Sequence, residues 1–194
     1  MITIIPSPIL KSAAAHRGRR AFTLVELMVG ATLSAFVLAG ILSTFLFLGR
    51  SGANLRNYSD MESQARKALE VFAQDVRQAS AITWTTSSSV TLVVNTVSIT
   101  YTHETANKTF TRIIGTSSQT LITGIANGTF AFKAFNVAGS AMPLTTAAER
   151  TAASSSTKQL QISLEANRNT TTVATATNLV LSARYVLRNK VVTA

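Results

Sequence analysis

From Phe22 to Leu48 the chain reads FTLVELMVGATLSAFVLAGILSTFLFL, 27 residues in which Glu26 is the only charge. As a helix rising ~1.5 Å per residue, such a run is roughly 40 Å long, enough to cross the hydrocarbon core of a bilayer. A secretory signal has a shorter apolar region of about 7–15 residues, closed by a small-residue cleavage site. This run is longer and passes directly into an amphipathic pattern. Arg17, Arg19 and Arg20 stand just before it. Basic flanks stay on the cytoplasmic side, so the expectation is a single-pass protein of the cytoplasmic (inner) membrane. Its N-terminus would be inside and its C-terminal part exported.

The formal charge of +10 invites a nucleic-acid reading, because Lys and Arg release counterions from phosphate backbones. Its distribution argues against taking the total at face value. Residues 1–21 hold four basic side chains and no acid, residues 22–80 hold five of each sign, and residues 81–194 hold nine basic against three acidic. The excess therefore sits in two places with separate meanings. The chain has no cysteine, which excludes disulfides, thiolate metal sites, iron–sulfur clusters and a Cys nucleophile. Its two Asp, Asp60 and Asp75, both precede residue 81, which argues against a two-carboxylate catalytic site in the C-terminal part.

Beyond the apolar run, Leu55, Tyr58, Met61, Ala65, Leu69, Phe72 and Val76 recur at three- and four-residue spacing, an amphipathic helical stripe. Most charges, Asp75 among them, fall on other faces, and Glu62–Arg66 is placed to pair at i,i+4. No proline lies between residues 9 and 142, so one helix from about 22 to 79 is allowed. Gly49 and Gly52 mark where it could bend or melt. After Ser80 the texture changes: Thr and Ser supply 36 of the 114 residues from 81 to 194. Alternation at 90–94, 97–101, 130–132, 160–164 and 179–187 predicts strands. Turns are expected at 104–108, 127–128 and 167–169, and 137–157 reads as a surface loop. Trp84 is expected to pack where the helix meets the sheet. The predicted class is α+β: a long N-terminal helix, membrane-spanning then amphipathic, packed on a C-terminal antiparallel β-sheet domain.

No catalytic constellation is legible. His16 lies before the apolar run and His103 is the only later histidine, so a triad or His-rich metal site would need to be built around one imidazole. His103–Glu104 reads as a solvated hairpin pair. No cofactor and no metal are expected, and the chain does not read as an enzyme. In the last predicted strand, Leu179, Leu181, Ala183, Tyr185 and Leu187 would face the core, leaving Arg184, Arg188 and Lys190 on the opposite face. The plain reading of that basic face is protection against strand-to-strand aggregation.

The segment Arg20-Ala-Phe-Thr-Leu-Val-Glu-Leu27 resembles the prepilin processing motif of type IV pilins and type II secretion pseudopilins. The resemblance is specific over residues 18–48 and architectural beyond. It implies cleavage between Ala21 and Phe22 by a prepilin peptidase, N-methylation of the new Phe22 amine, and an assembly role for Glu26 as mature residue five. Ala21 departs from the usual Gly before the cut, and the leader is long. The implied organisation is a leader (1–21), a transmembrane and assembly helix (22–48), its amphipathic continuation (49–80) and a β-rich periplasmic domain (81–194). This is the pilin fold, and the strand order resembles the minor pseudopilin group, in particular the J-type subunit and its W-type pilus counterpart. Implied partners are the peptidase and N-methyltransferase, other pilin or pseudopilin subunits, and an inner-membrane assembly platform. Two alternatives stand beside a filament subunit. One is a DNA-uptake minor pilin contacting DNA through Arg184, Arg188 and Lys190. The other is a membrane-anchored periplasmic protein whose motif is fortuitous.

Overall fold

The computed structural model describes residues 21–168 and 177–192; His16, Arg17, Arg19, Arg20 and Asn169 lie outside them. Helix α1 runs from Leu24 to Gln78 as 55 continuous residues, close to the expected span. Gly49 and Gly52 lie within it, and neither melts it. At about 1 kcal/mol each relative to Ala, two glycines are too small a cost to interrupt a helix propagating from both sides.

Two units divide the chain after Leu46. In the first, every described side chain is exposed. In the second, α1 buries Met61, Ala65, Ala68, Phe72 and Val76, a stripe at three- and four-residue spacing. The predicted stripe begins earlier, but Leu55 and Tyr58 are exposed. Periodicity reports which side chains share a face, not how far along that face a partner extends. On the outer face, Arg66 Nη2 pairs with Glu62 Oε1 at 2.6 Å as expected.

Strands β1 (Ala81–Thr86), β2 (Ser89–Val94), β3 (Val97–Glu104), β4 (Thr109–Ile114) and β5 (Ser117–Thr123) form an antiparallel meander in chain order. The β2–β3 turn has two residues, since Val94 faces Val97 across it. Asn95 and Thr96 both adopt positive φ there, 47° and 70°, as a turn matching the strand twist requires. A second antiparallel sheet has the order β7-β6-β8-β9, from β6 (Ala131–Phe135), β7 (Ala141–Met142), β8 (Gln159–Arg168) and β9 (Thr177–Val186). Between the sheets, Ile125 bridges to Ala166. Gly124 is required at this crossing: its φ is +74°, and a Cβ would lie 2.6 Å from the Asn167 carbonyl oxygen.

Two expectations are corrected. Residues 147–156, read as loop, form helix α2 (Ala147–Ser156). Thr146 and Glu149 close a reciprocal capping box at its start, and such a box offsets the weak helix propensity of the serines behind it. Asn167 and Arg168, read as a turn, continue β8. Trp84 is buried in the same core cluster as the α1 stripe and also meets α2: its backbone N–H donates to Ser154 Oγ at 2.9 Å and its indole N–H to Thr157 Oγ1 at 3.1 Å.

One aromatic cluster closes the core. Phe72 of α1 lies 4.8 Å from Tyr101, 6.1 Å from both Phe110 and Phe132, and 5.8 Å from Tyr185, centroid to centroid. It thus touches both sheets at once. A single helical side chain organises the domain because the stripe delivers it to the point where the two sheets face the helix.

Candidate processing and assembly segment

Ala21, Phe22 and Thr23 precede the helix and carry no regular structure. Phe22 is 85% exposed, so the Ala21–Phe22 bond lies in accessible, non-helical backbone. The helix begins at Leu24 because Thr23 caps it. Thr23 Oγ1 accepts from the Glu26 backbone N–H at 3.2 Å, while Glu26 Oε2 accepts from the Thr23 backbone N–H and hydroxyl, both at 2.9 Å. This is the Thr-x-x-Glu capping box, and it satisfies donors that an uncapped helix start would leave open. Thr23-Leu-Val-Glu26 is therefore a cap signature legible in the sequence, over and above its processing resemblance. Glu26 Oε1 accepts no hydrogen bond among the described residues. One carboxylate oxygen, Oε2, thus holds the helix start.

Behind the cap, two of the four hydroxyls of the apolar run bond to their own helix. Thr32 Oγ1 donates to the carbonyls of Met28 and Val29 at 3.1 and 2.9 Å, and Thr44 Oγ1 to that of Gly40 at 3.0 Å. Polar groups satisfied within one helix suit hydrocarbon, where water cannot serve them. By length and composition α1 is the one helix among the described residues able to cross a membrane, with a mean hydropathy of 2.1 over its most apolar window.

The expected basic strip on the last strand does not form. Inward alternation holds, with Leu181 and Leu187 buried and Leu179, Ala183 and Tyr185 half-buried. Arg184 is exposed on the outer face, donating through Nε and Nη2 to Gln161 Oε1 at 3.2 and 3.0 Å. Its guanidinium lies 3.6 Å from the centroid of the Phe135 ring. Arg188 is exposed past the strand's end at Val186. Lys190 is buried: its Nζ donates to the carbonyls of Ser154, Ser155 and Thr157 at 2.7, 2.7 and 3.1 Å. There it completes the C-terminal end of α2, where orphan carbonyls attract a cation. Burial and the Lys158 ammonium lower its pKa. The two-residue period that placed Lys190 beside Arg184 stops at Val186, so the expectation fails where the strand does.

His103 is likewise not half of a solvated pair. It stacks on Phe130 with centroids 4.5 Å apart, and burial lowers its pKa. Glu104 instead accepts from Asn107 Nδ2 at 2.7 Å.

Sequence reasoning misses a buried polar network. Asp75 Oδ2 accepts from the Tyr101 hydroxyl at 2.6 Å and from Arg112 Nε at 2.7 Å, and Arg112 Nε also reaches the Tyr101 oxygen at 3.1 Å. Burial and the Asp75 carboxylate push the Tyr101 phenol far above its usual range. Asp75, expected on another face of the helix, is instead buried alongside Phe72 and Val76, and its position three residues after Phe72 and one before Val76, at the edge of the apolar stripe, is the available signal. No group of three or more potential metal-ligating side chains occurs among the described residues.

Against known proteins, residues 16–42 match the family described as the prokaryotic N-terminal methylation motif. The match brackets Ala21, Phe22 and Glu26 and supports the type IV pilin and pseudopilin resemblance drawn from the same residues. No curated protein matches the chain. The chain thus carries the motif of a pilin-type precursor at its N-terminus, joined to an α+β domain in which a long helix lies on antiparallel sheets.

Proposed function

We propose that this protein is a minor pilin or pseudopilin. It enters the inner membrane through α1, is cut between Ala21 and Phe22 and N-methylated at Phe22. It then packs by its apolar helix into a type IV pilus or a type II secretion pseudopilus. The observation that carries the reading is the coincidence of the methylation motif with the capped helix start. The scissile bond is exposed and outside the helix, as a protease that binds extended backbone requires. Cleavage leaves an ammonium at a helix N-terminus, where the macrodipole disfavours a cation. Glu26 of a neighbouring subunit can supply the missing negative charge without giving up its own cap, since its Oε1 accepts no hydrogen bond among the described residues. In a low-dielectric filament an amine and carboxylate that meet only in one axial register specify that register, because mismatch leaves charges unpaired. The domain is then carried as a structural subunit, a substrate of processing enzymes rather than a catalyst. The burial of Lys190 removes one of three cations from the DNA-uptake alternative and leaves the filament reading the better supported.

Co-expression with a prepilin peptidase tests this directly. The intact mass should fall by residues 1–21 and gain one methyl group, and an unshifted mass overturns the reading. Glu26→Ala should still be cut but should fail to co-assemble with partner pilins in a crosslinking assay. Normal assembly would refute the role of Glu26 while leaving processing intact.

A further inference from the structure

Each sheet ends in two edge strands, and three of the four edges carry a block against a further strand. β1 has a bulge between Trp84 and Thr86, and its Trp84 N–H is taken by Ser154 of α2. β5 has a bulge at Leu121, which its register with β4 skips, and β7 is only two residues long. Bulges, short edges and covering helices are the ordinary means of preventing strand addition. Among the described residues β9 has none of these. It runs for ten residues without proline, in unbroken register with β8.

The backbone direction along that edge follows from its neighbours. The Glu165 carbonyl accepts from the Ala126 N–H and the Asn167 N–H donates to the Gly124 carbonyl, both at 2.8 Å, on the side of β8 away from β9. In an antiparallel pair, such residues face partners whose backbone groups also turn away. Glu165 and Asn167 face Val180 and Asn178. Asn178, Val180, Ser182, Arg184 and Val186 therefore point their N–H and C=O groups out of the free edge. The side chains agree. The inward row of β8, Leu160, Ile162, Leu164 and Ala166, is buried, whereas Leu179, Ala183 and Tyr185 of β9 are only half-buried. The apolar core runs on past the last strand.

Arg184 is the only charge on β9, and it does not guard the edge. Its guanidinium lies back over the Phe135 ring and Gln161. Arg188 is exposed just beyond, and no acid occurs from residue 166 to the end of the chain. A second copy of β9 would bring the same cations and no acid, whereas opposite charges across a strand pair stabilise it. We propose that β9 takes up, by strand addition, an extended segment of a partner protein in which apolar and acidic residues alternate. Its apolar side chains would cover Leu179, Ala183 and Tyr185, and its acids would lie beside Arg184 and Arg188. The outward N–H and C=O groups would supply the main-chain bonds. The edge lies in the second unit, apart from the Ala21–Phe22 bond.

The test is amide hydrogen exchange of the full ¹⁵N-labelled chain in detergent micelles, with a capped peptide of alternating Val and Glu as probe. Without peptide, odd-numbered amides of residues 179–187 should exchange slowly and even-numbered ones of 178–186 fast. Saturating peptide should slow the even-numbered set at least about tenfold, as new main-chain bonds require, and leave the odd-numbered set unchanged. A peptide with the same Val and Glu in separate blocks should not. Ser182→Pro removes one outward N–H and no bond to β8, a place where an edge strand tolerates proline, so it should abolish binding. Arg184→Glu leaves every backbone group in place and should move the preference to a peptide alternating Val and Lys. Even-numbered amides already slow without peptide would mean an edge covered by another part of the chain or by a second copy. That result, absence of saturation, equal binding of the block peptide, undiminished binding by Ser182→Pro, or an unmoved preference in Arg184→Glu would each overturn the proposal.

Discussion

Helix α1 is one continuous element with two different solutions to the same problem of apolar surface. From Leu24 to Leu48 apolar side chains occupy every face and all are exposed. From Met61 to Val76 apolar side chains keep to one stripe, and that stripe is buried. A helix apolar all round needs lipid or other subunits, whereas an amphipathic one needs a single partner face. The first half leaves its stabilisation to surroundings the chain does not contain. The second carries its partner in the same chain, and adds a buried ionic contact, Asp75–Arg112, that lipid could not supply.

The contrast can be broken most sharply at two phenylalanines. Phe72→Ala should destabilise the domain by about 3–5 kcal/mol, as expected for a fully buried aromatic, read by urea unfolding of the chain in detergent. Phe36→Ala, at a side chain 77% exposed, should leave that transition unmoved. Comparable costs at the two sites would mean the halves are not distinct. Asp75→Ala comes next. It strands the Arg112 cation and the Tyr101 hydroxyl, and removing one partner of a buried ion pair costs about 3 kcal/mol or somewhat more. The same unfolding curve should show it, and Asp75→Asn should recover part of the loss by keeping an acceptor. The smallest effect belongs to the junction. A Cβ at Gly52 would meet nothing within 4 Å, so Gly52→Ala should raise helicity and stabilise the helix by up to about 1 kcal/mol. Circular dichroism would register this, and a loss of helicity would show that the junction needs glycine.

The pattern-rich parts of the fold are legible in the sequence. Alternation finds β2, β3, β6, β8 and β9, and helical spacing finds α1 to within two residues at each end. What escapes lacks pattern. β1 (Ala81–Thr86) has only two apolar side chains, Ile82 and Trp84, to mark its buried face, and β5 (Ser117–Thr123) opens with four exposed polar residues that mark none. They are strands because β2 and β4 satisfy their backbones. α2 is hidden by serines that disfavour a helix, and it holds because Thr146 caps one end and Lys190 the other. The Glu26 motif is legible because processing reads consecutive residues. Both the Lys190 seat and the hydrogen bonds of Arg168 to Thr123 and Gln64 join residues more than thirty positions apart, and no local pattern encodes such a meeting.

The sequence by itself determined that this chain has an apolar helix fit for a membrane, a processing motif at its head and a strand-rich tail. These are properties of neighbouring residues, set by hydropathy, charge and period. Tertiary structure alone decided where the amphipathic stripe ends, that Asp75 turns inward to Tyr101 and Arg112, and that Lys190 caps a helix instead of facing solvent. A long side chain goes where its charge is best satisfied, and that depends on which backbone ends and sheets the fold brings within its reach.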